Sequence, residues 1–281
     1  MKKLLLVLSL LLFILSSCSS SSSGESQNET VQGPLISKMV YKGESVALDY
    51  KDHDFNFIYD SNQRLIRINR GDKVYREYTY SNDLIIEAKY YVFWNGNSES
   101  ELEDIFHFDY DSSNRLIKAT TSSFEYIFTY TDSSHADYIM HIYSWSGDNH
   151  LYRTGAINFD SVTKNILSIT NQNYAPYLGQ NGLPQPSSPM YKQELFYDTM
   201  KHPCSNIKGY KELAFFNLMN MDVTIFTPNF GVNNNLKEVN SYPIDQPSNN
   251  TGTVWSYEYG QTFPLKAKKL SSTDFNLVFY F

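Results

Sequence analysis

One stretch of alternating aromatic and polar residues occurs twice in this chain, 51 positions apart. Phe55-Asn56-Phe57-Ile58-Tyr59-Asp60-Ser61-Asn62-Gln63-Arg64-Leu65-Ile66-Arg67 returns as Phe106-His107-Phe108-Asp109-Tyr110-Asp111-Ser112-Ser113-Asn114-Arg115-Leu116-Ile117-Lys118. Tyr78-Thr79-Tyr80 returns as Phe128-Thr129-Tyr130, and Trp94-Asn95-Gly96 returns as Trp145-Ser146-Gly147. A weaker third start is Phe159-Asp160-Ser161 with Asn165-Ile166-Leu167. A repeat of this length is one supersecondary unit that buries its apolar face against its neighbours.

The period inside each unit is two, the mark of strands buried on one face. Leu84, Ile86, Ala88, Tyr90, Val92 and Trp94 share one face, and Glu87 and Lys89 the other. Short polar turns separate the strands, among them Asp60-Ser61-Asn62, Ser81-Asn82-Asp83, Asp111-Ser112-Ser113-Asn114 and Asp132-Ser133-Ser134. Asn, Asp and Gly accept the left-handed conformations that hairpins require. With 23 Tyr and 18 Phe in 281 residues, the composition also favours strands. The expected fold is all-β, an antiparallel meander closing into a barrel or barrel-like sheet, with about four strands per repeat. Its expected core includes Phe57, Tyr59, Ile66, Tyr78, Ile86, Tyr90, Phe108, Tyr126, Phe128 and Phe279. Gly209 to Asp222 is the one helical candidate, with Phe215, Leu218 and Met219 as its stripe. Tyr174 to Pro189, with four prolines, reads as a long loop. Phe275 to Phe281 reads as the last strand.

The N-terminus has a different character. Lys2 and Lys3 precede an apolar run from Leu4 to Leu15, which is too short to span a bilayer and suits a signal-peptide core. Leu15-Ser16-Ser17-Cys18 follows and resembles a bacterial lipobox. The expected division is a signal over 1–17, a lipidated Cys18 with a Ser-rich tether over 18–33, and one β domain over 34–281. Cleavage would remove two lysines and leave 21 basic against 30 acidic side chains, net −9. That balance disfavours nucleic acid and gives no pull toward anionic lipid, so the acyl chains must hold the membrane. Cys204 is then the one remaining cysteine, and no disulfide can form within the domain. The first acid after Cys18 is Glu25, which points to the periplasmic face of the outer membrane rather than the cell surface.

The Tyr-Asp-x-x-Asn-Arg-Leu hairpin pattern behind a lipobox resembles a family of bacterial lipoproteins, a domain of unknown function described as having a porin-like fold. Tyr59-Asp60 through Arg64-Leu65 and Tyr110-Asp111 through Arg115-Leu116 carry the resemblance, with Tyr197-Asp198-Thr199-Met200-Lys201-His202-Pro203. It covers roughly residues 35 to 281. The resemblance implies an antiparallel barrel-like sheet and brings no activity and no functional residue.

Motifs for catalysis are missing: no GxSxG, HExxH, GxGxxG, P-loop or CxxC occurs. His135, His141 and His150 do not match zinc-ligand spacing, although His141 falls on the inward face if it corresponds to Tyr90. Asp109 and Asp111 start like a calcium loop but lack its glycine and late glutamate, so Asp60 and Asp111 are read as turn residues. Glu99, Glu101, Glu103 and Asp104 read as a solvated outer face rather than paired glycosidase carboxylates. Arg64 and Arg115 are expected to pair with Asp60 and Asp111 or to stack on Tyr59 and Tyr110. Trp94 and Trp145 each precede a turn at the same end of the sheet. They either plug that end or form a rim that grips a glycan or apolar ligand. The expected function is a lipid-anchored, non-catalytic binding or accessory protein of the envelope, without cofactor or metal. A hydrolase with a loop-built site and a membrane-spanning porin-like barrel are the alternatives.

Overall fold

The computed structural model describes residues 33–42, 53–71, 74–92, 100–143, 149–178, 183–219, 232–269 and 276–281. The alternating segments form the expected strands. The first copy of the repeat gives β2 (His53–Tyr59), β3 (Leu65–Arg70), β4 (Val74–Ser81) and β5 (Leu84–Val92). The second gives β6 (Glu101–Tyr110), β7 (Leu116–Thr120), β8 (Phe124–Tyr130) and β9 (His135–Tyr143). Then come β10 (Asn149–Phe159), β11 (Ile166–Leu178), the short β12 (Pro184–Pro186), β13 (Tyr191–Lys201) and the helix α1 (Tyr210–Met219). The chain ends with β14 (Asn234–Pro243), β15 (Thr251–Tyr259), β16 (Pro264–Lys269) and β17 (Asn276–Tyr280), and β1 (Lys38–Lys42) precedes them all.

Each strand pairs antiparallel with its neighbour in sequence, except that β12 hangs on β11 alone and β13 pairs with β11 across it. β1 pairs with both β2 and β17 and so closes the ring. The result is a sixteen-strand antiparallel barrel. Closure removes both edges of the sheet. The tight Asp-containing turns, residue 33 and Phe281 share one end, here called the turn end. The other end carries the connections after β1, β3, β5, β7, β9, β11, β14 and β16.

The turns explain why Asp begins them. Asp60 Oδ1 accepts the backbone N–H groups of Asn62 and Arg64, each at 2.9 Å, and Oδ2 accepts Arg64 Nε at 2.8 Å. Asp111 repeats this with Ser113 at 2.8 Å, Arg115 N at 2.9 Å and Arg115 Nε at 2.7 Å. The turn reading of both aspartates is correct, and so is their pairing with arginine. The stacking partners differ: Arg64 lies over Tyr80 and Arg115 over Tyr130, the tyrosines one hairpin further on. The hydroxyls of Tyr59 and Tyr110 instead donate to the carbonyls of Ile36 and Ile85, at 2.7 and 2.8 Å.

Strict alternation fails just after these turns. Tyr59 faces Leu65 while Ile58 faces Arg67, so Ile66 is the extra residue of a β-bulge. Ile66 therefore points out, 39% exposed, and Leu65 is fully buried in its stead. A second bulge, between Thr79 and Tyr80, buries Ile85 and leaves Ile86 half-exposed. Both isoleucines are thus corrected out of the core. Tyr59 and Tyr90 are inward but only half-buried. Phe57, Tyr78, Phe108, Tyr126, Phe128 and Phe279 are buried as expected. β9 lacks the bulge that β5 carries, so its phase is shifted by one residue. His141 consequently sits opposite Glu125 on the outer wall and not inward with Tyr90.

Sixteen strands enclose more space than wall side chains alone fill. Here the turn-end half is filled by an internal plug made from residues 202–216, between β13 and β14. His202, Cys204, Ile207, Tyr210, Leu213, Ala214 and Phe216 are all buried. Phe216 makes edge contacts with Phe108 and Tyr126, at centroid distances of 5.8 and 5.4 Å. Each such ring removes enough apolar surface from water to contribute about 1.5–3 kcal/mol. The expected helix is therefore present, and its buried face holds Tyr210, Leu213, Ala214 and Phe216. The side chains of Phe215, Leu218 and Met219 lie outside those described. Gly209 lets the plug touch the wall: at φ +72°, an added Cβ would sit 3.0 Å from Asp83 O and Ile85 N.

Tyr174 to Pro189 is not simply a loop. β11 runs to Leu178, and β12 pairs with it through Tyr174–Pro186 and Leu178–Pro184. Pro184 and Pro186 are tolerated because β12 pairs on one side only.

Candidate functional site

The two faces of the barrel wall differ in chemistry. The outer face is laced with ion pairs: Lys38 with Asp54, Arg67 with Glu77, Lys89 with Glu87, Lys118 with Glu125 and Lys266 with Glu258. Aliphatic residues such as Ile58, Ile66, Ile127, Ile139 and Leu167 lie among them at 36–46% exposure. Glu101 and Glu103 are exposed, but the outer-face reading of the acidic cluster is corrected: a bulge at Glu103 sets Asp104 opposite Tyr90 and Glu101 opposite Val92, both in the inward row.

The inner face has two zones. Around the plug it is apolar and aromatic. Tyr126 stacks on Phe128 at 6.0 Å, and Tyr138 lies 6.1 Å from Tyr126. His202, fully buried, stacks flat on Tyr210 with centroids 5.3 Å apart, and its Nδ1 accepts the Cys204 N–H at 3.2 Å. Burial pushes its imidazole down to about 3, so it is neutral. Burial likewise pushes the Cys204 thiol far above its usual range, so it is no nucleophile. Polar bonds hold the stem of the plug. Asn165 donates to Asn234 Oδ1 at 2.8 Å and accepts Asn233 N–H at 3.0 Å. Asn235 Nδ2 donates to both oxygens of Asp198, at 3.3 and 3.2 Å.

Toward the other end the inner face becomes polar and charged. Arg70 and Arg76 occupy inward positions on β3 and β4, in the rows of Ile68 and Tyr78. Arg76 lies over the Tyr90 ring at 4.8 Å, and Arg70 over Phe55 at 5.9 Å. Further round, Arg153 Nε donates to Asn173 Oδ1 at 2.7 Å, and the Tyr138 hydroxyl bonds Asn171 Oδ1. Tyr138 crosses Gly155, where an added Cβ would be 1.9 Å from Thr170 O and 2.7 Å from the tyrosine ring. This band of arginine, tyrosine and asparagine is the candidate site. Its chemistry is recognition by hydrogen bonding, charge and ring faces.

Sequence reasoning named none of these arginines. The signal was present, since Arg76 interrupts an otherwise apolar row two residues before Tyr78. The residues it did name lie elsewhere. Cys18, Trp94 and Trp145 fall outside the described residues, although β5, β6, β9 and β10 place the connections holding both tryptophans at the same end. The three histidines do not converge. His135 contacts Asn158 and Asp137 at 2.7 and 3.4 Å near the turn end, His141 faces Glu125 outside, and His150 pairs with Ile142 toward the other end.

No protein-family profile matches the chain, and no curated protein does. Solved structures with a similar fold exist. A porin-like protein from Bacteroides vulgatus is similar over 88% of this chain and 98% of its own, at 8% identity and a TM-score of 0.48. A porin-like protein from Bacteroides uniformis matches over 87% and 97%, at 11% identity and a TM-score of 0.42. A protein of unknown function from Bacteroides fragilis matches over 42% of this chain and 91% of its own, at 8% identity and a TM-score of 0.32.

Proposed function

We propose that this chain is a lipid-tethered, non-catalytic binding barrel of the bacterial envelope, which takes its ligand into the lumen opposite the turn end. The observation that carries the reading is the contrast between the two wall faces. A charged outer wall suits water, and a plugged lumen with a polar upper zone suits a small ligand. Sixteen strands is also a porin number, and a lipid-spanning channel is the competing reading. Lys38, Arg67, Lys89 and Lys118 on the outer wall oppose it, because a cation facing lipid costs about 2–4 kcal/mol at the bilayer midplane. The tether then supplies the membrane contact through Cys18, and Trp94 and Trp145 line the entry end as a rim for a glycan or apolar body.

Two measurements test this. Cys18→Ala should leave the barrel either soluble in the periplasm or uncleaved; a processed variant that still fractionates as an integral membrane protein overturns the tethered reading. A screen of small glycans, lipids and organic acids should yield a saturable ligand, lost on combined Trp94→Ala and Trp145→Ala substitution with the fold intact. Ion conductance in planar bilayers with no ligand in the screen would instead support the channel.

A further inference from the structure

Arg76 is an inner-wall cation that makes no ion pair among the described residues and meets only the face of the Tyr90 ring, at 4.8 Å. It projects from β4 between Val74 and Tyr78, with Ile68 and Tyr90 as its cross-strand neighbours. Protein surrounds it, yet part of its surface stays accessible, which places it at an internal space rather than in solid packing. Its Nε is buried without a hydrogen-bond partner. No described carboxylate lies within 4.0 Å of it. Two acids of β6 share this face, Asp104 opposite Tyr90 and Glu101 opposite Val92; Asp104 Oδ1 accepts Ile105 N–H at 2.9 Å and Ser122 Oγ at 3.4 Å. Burial works against the guanidinium's charge, and Arg70 on the next strand adds repulsion. A buried charge is normally paired, and Leu or Met in this row would pack at lower cost.

We propose that Arg76, with Arg70 beside it and the Tyr90 ring against it, binds the oxyanion of an organic acid inside the barrel. A guanidinium supplies a planar fork of donors matched to carboxylate, sulfate or phosphate. The ring faces of Tyr90 and Phe55 suit a flat or apolar body attached to the anion. The inference rests on the reading of the lumen as a ligand site, and it names the chemistry of that ligand.

The test uses the purified full-length chain with four probes of one shape: benzoate, phenyl phosphate, benzyl alcohol and benzylamine. Calorimetric titration should show saturable binding of one or both anions, with benzylamine inert. Arg76→Met should weaken anion binding about tenfold or more. It should leave the melting temperature unchanged or raised without ligand, because it removes an unanswered charge. Arg76→Lys, which keeps the charge but not the fork, should bind in between. Anion binding equal in Arg76→Met overturns the proposal, and so does an Arg76→Met melting temperature that falls sharply. If benzyl alcohol binds as well as benzoate in both proteins, the lumen is a ligand site and the arginine is not its anchor. If no probe binds and the wider screen is empty too, the binding reading falls with it.

Discussion

Acid should loosen the plug through His202. This imidazole is fully buried, neutral and held at about 3, against about 6.5 in the unfolded chain. A base whose folded value is depressed stabilises the fold fully only above the unfolded value. Below pH 6.5 the unfolded chain takes up a proton that the native state refuses, and the loss continues until pH reaches about 3. Linkage sets the slope at about 1.4 kcal/mol per pH unit, with a ceiling of about 5 kcal/mol for the whole interval. Between pH 7.5 and 4.5 the loss from this group is about 2–3 kcal/mol. His202→Asn keeps an acceptor for the Cys204 N–H and removes the titration. It also deletes the ring stacked on Tyr210, for about 1–3 kcal/mol at pH 7.5. Urea titrations of both proteins at pH 7.5, 6.0, 5.0 and 4.5 follow the difference between them. Exposed groups titrate in both and cancel. So does half-buried His135, which hydrogen bonding to Asn158 raises above its usual value so that it favours the fold on acidification. The wild-type advantage should shrink by about 2–3 kcal/mol from the highest pH to the lowest. Parallel curves would show that His202 is protonated or hydrated in the native barrel, and the plug would not be dry.

Two further substitutions test the wall. Phe128→Ala should cost about 3–5 kcal/mol and its neighbour Thr129→Ala less than about 0.5 kcal/mol, measured by denaturant titration; equal costs would put the inner and outer faces in the wrong phase. Gly155→Ala should cost at least about 2 kcal/mol, since its Cβ meets the backbone carbonyl of Thr170 as well as the Tyr138 ring; a neutral result in thermal unfolding would mean β10 and β11 separate there freely.

The alternating hairpins determined the all-β class, the meander and the turn role of Asp60 and Asp111, because period-two patterning and Asx turns are local properties. Residues within a few positions of each other decide them. Bulges are different. Leu65-Ile66 and Leu84-Ile85-Ile86 carry two or more apolar residues in a row, and either neighbour can satisfy the core. The partner strand selects Leu65 and Ile85, and every face assignment downstream follows that selection. His141 was placed inward for the same reason, since the repeat is kept in sequence while the bulge of β5 is not kept in β9. The plug was legible only as a weak helix. Its place inside the ring depends on how much space sixteen strands enclose, and no segment of a sequence carries that quantity. Arg76 sits in a readable alternation, two residues from Tyr78. That it makes no ion pair among the described residues depends on the register of β4, β5 and β6, including the bulge at Glu103, and only the paired sheet decides that register.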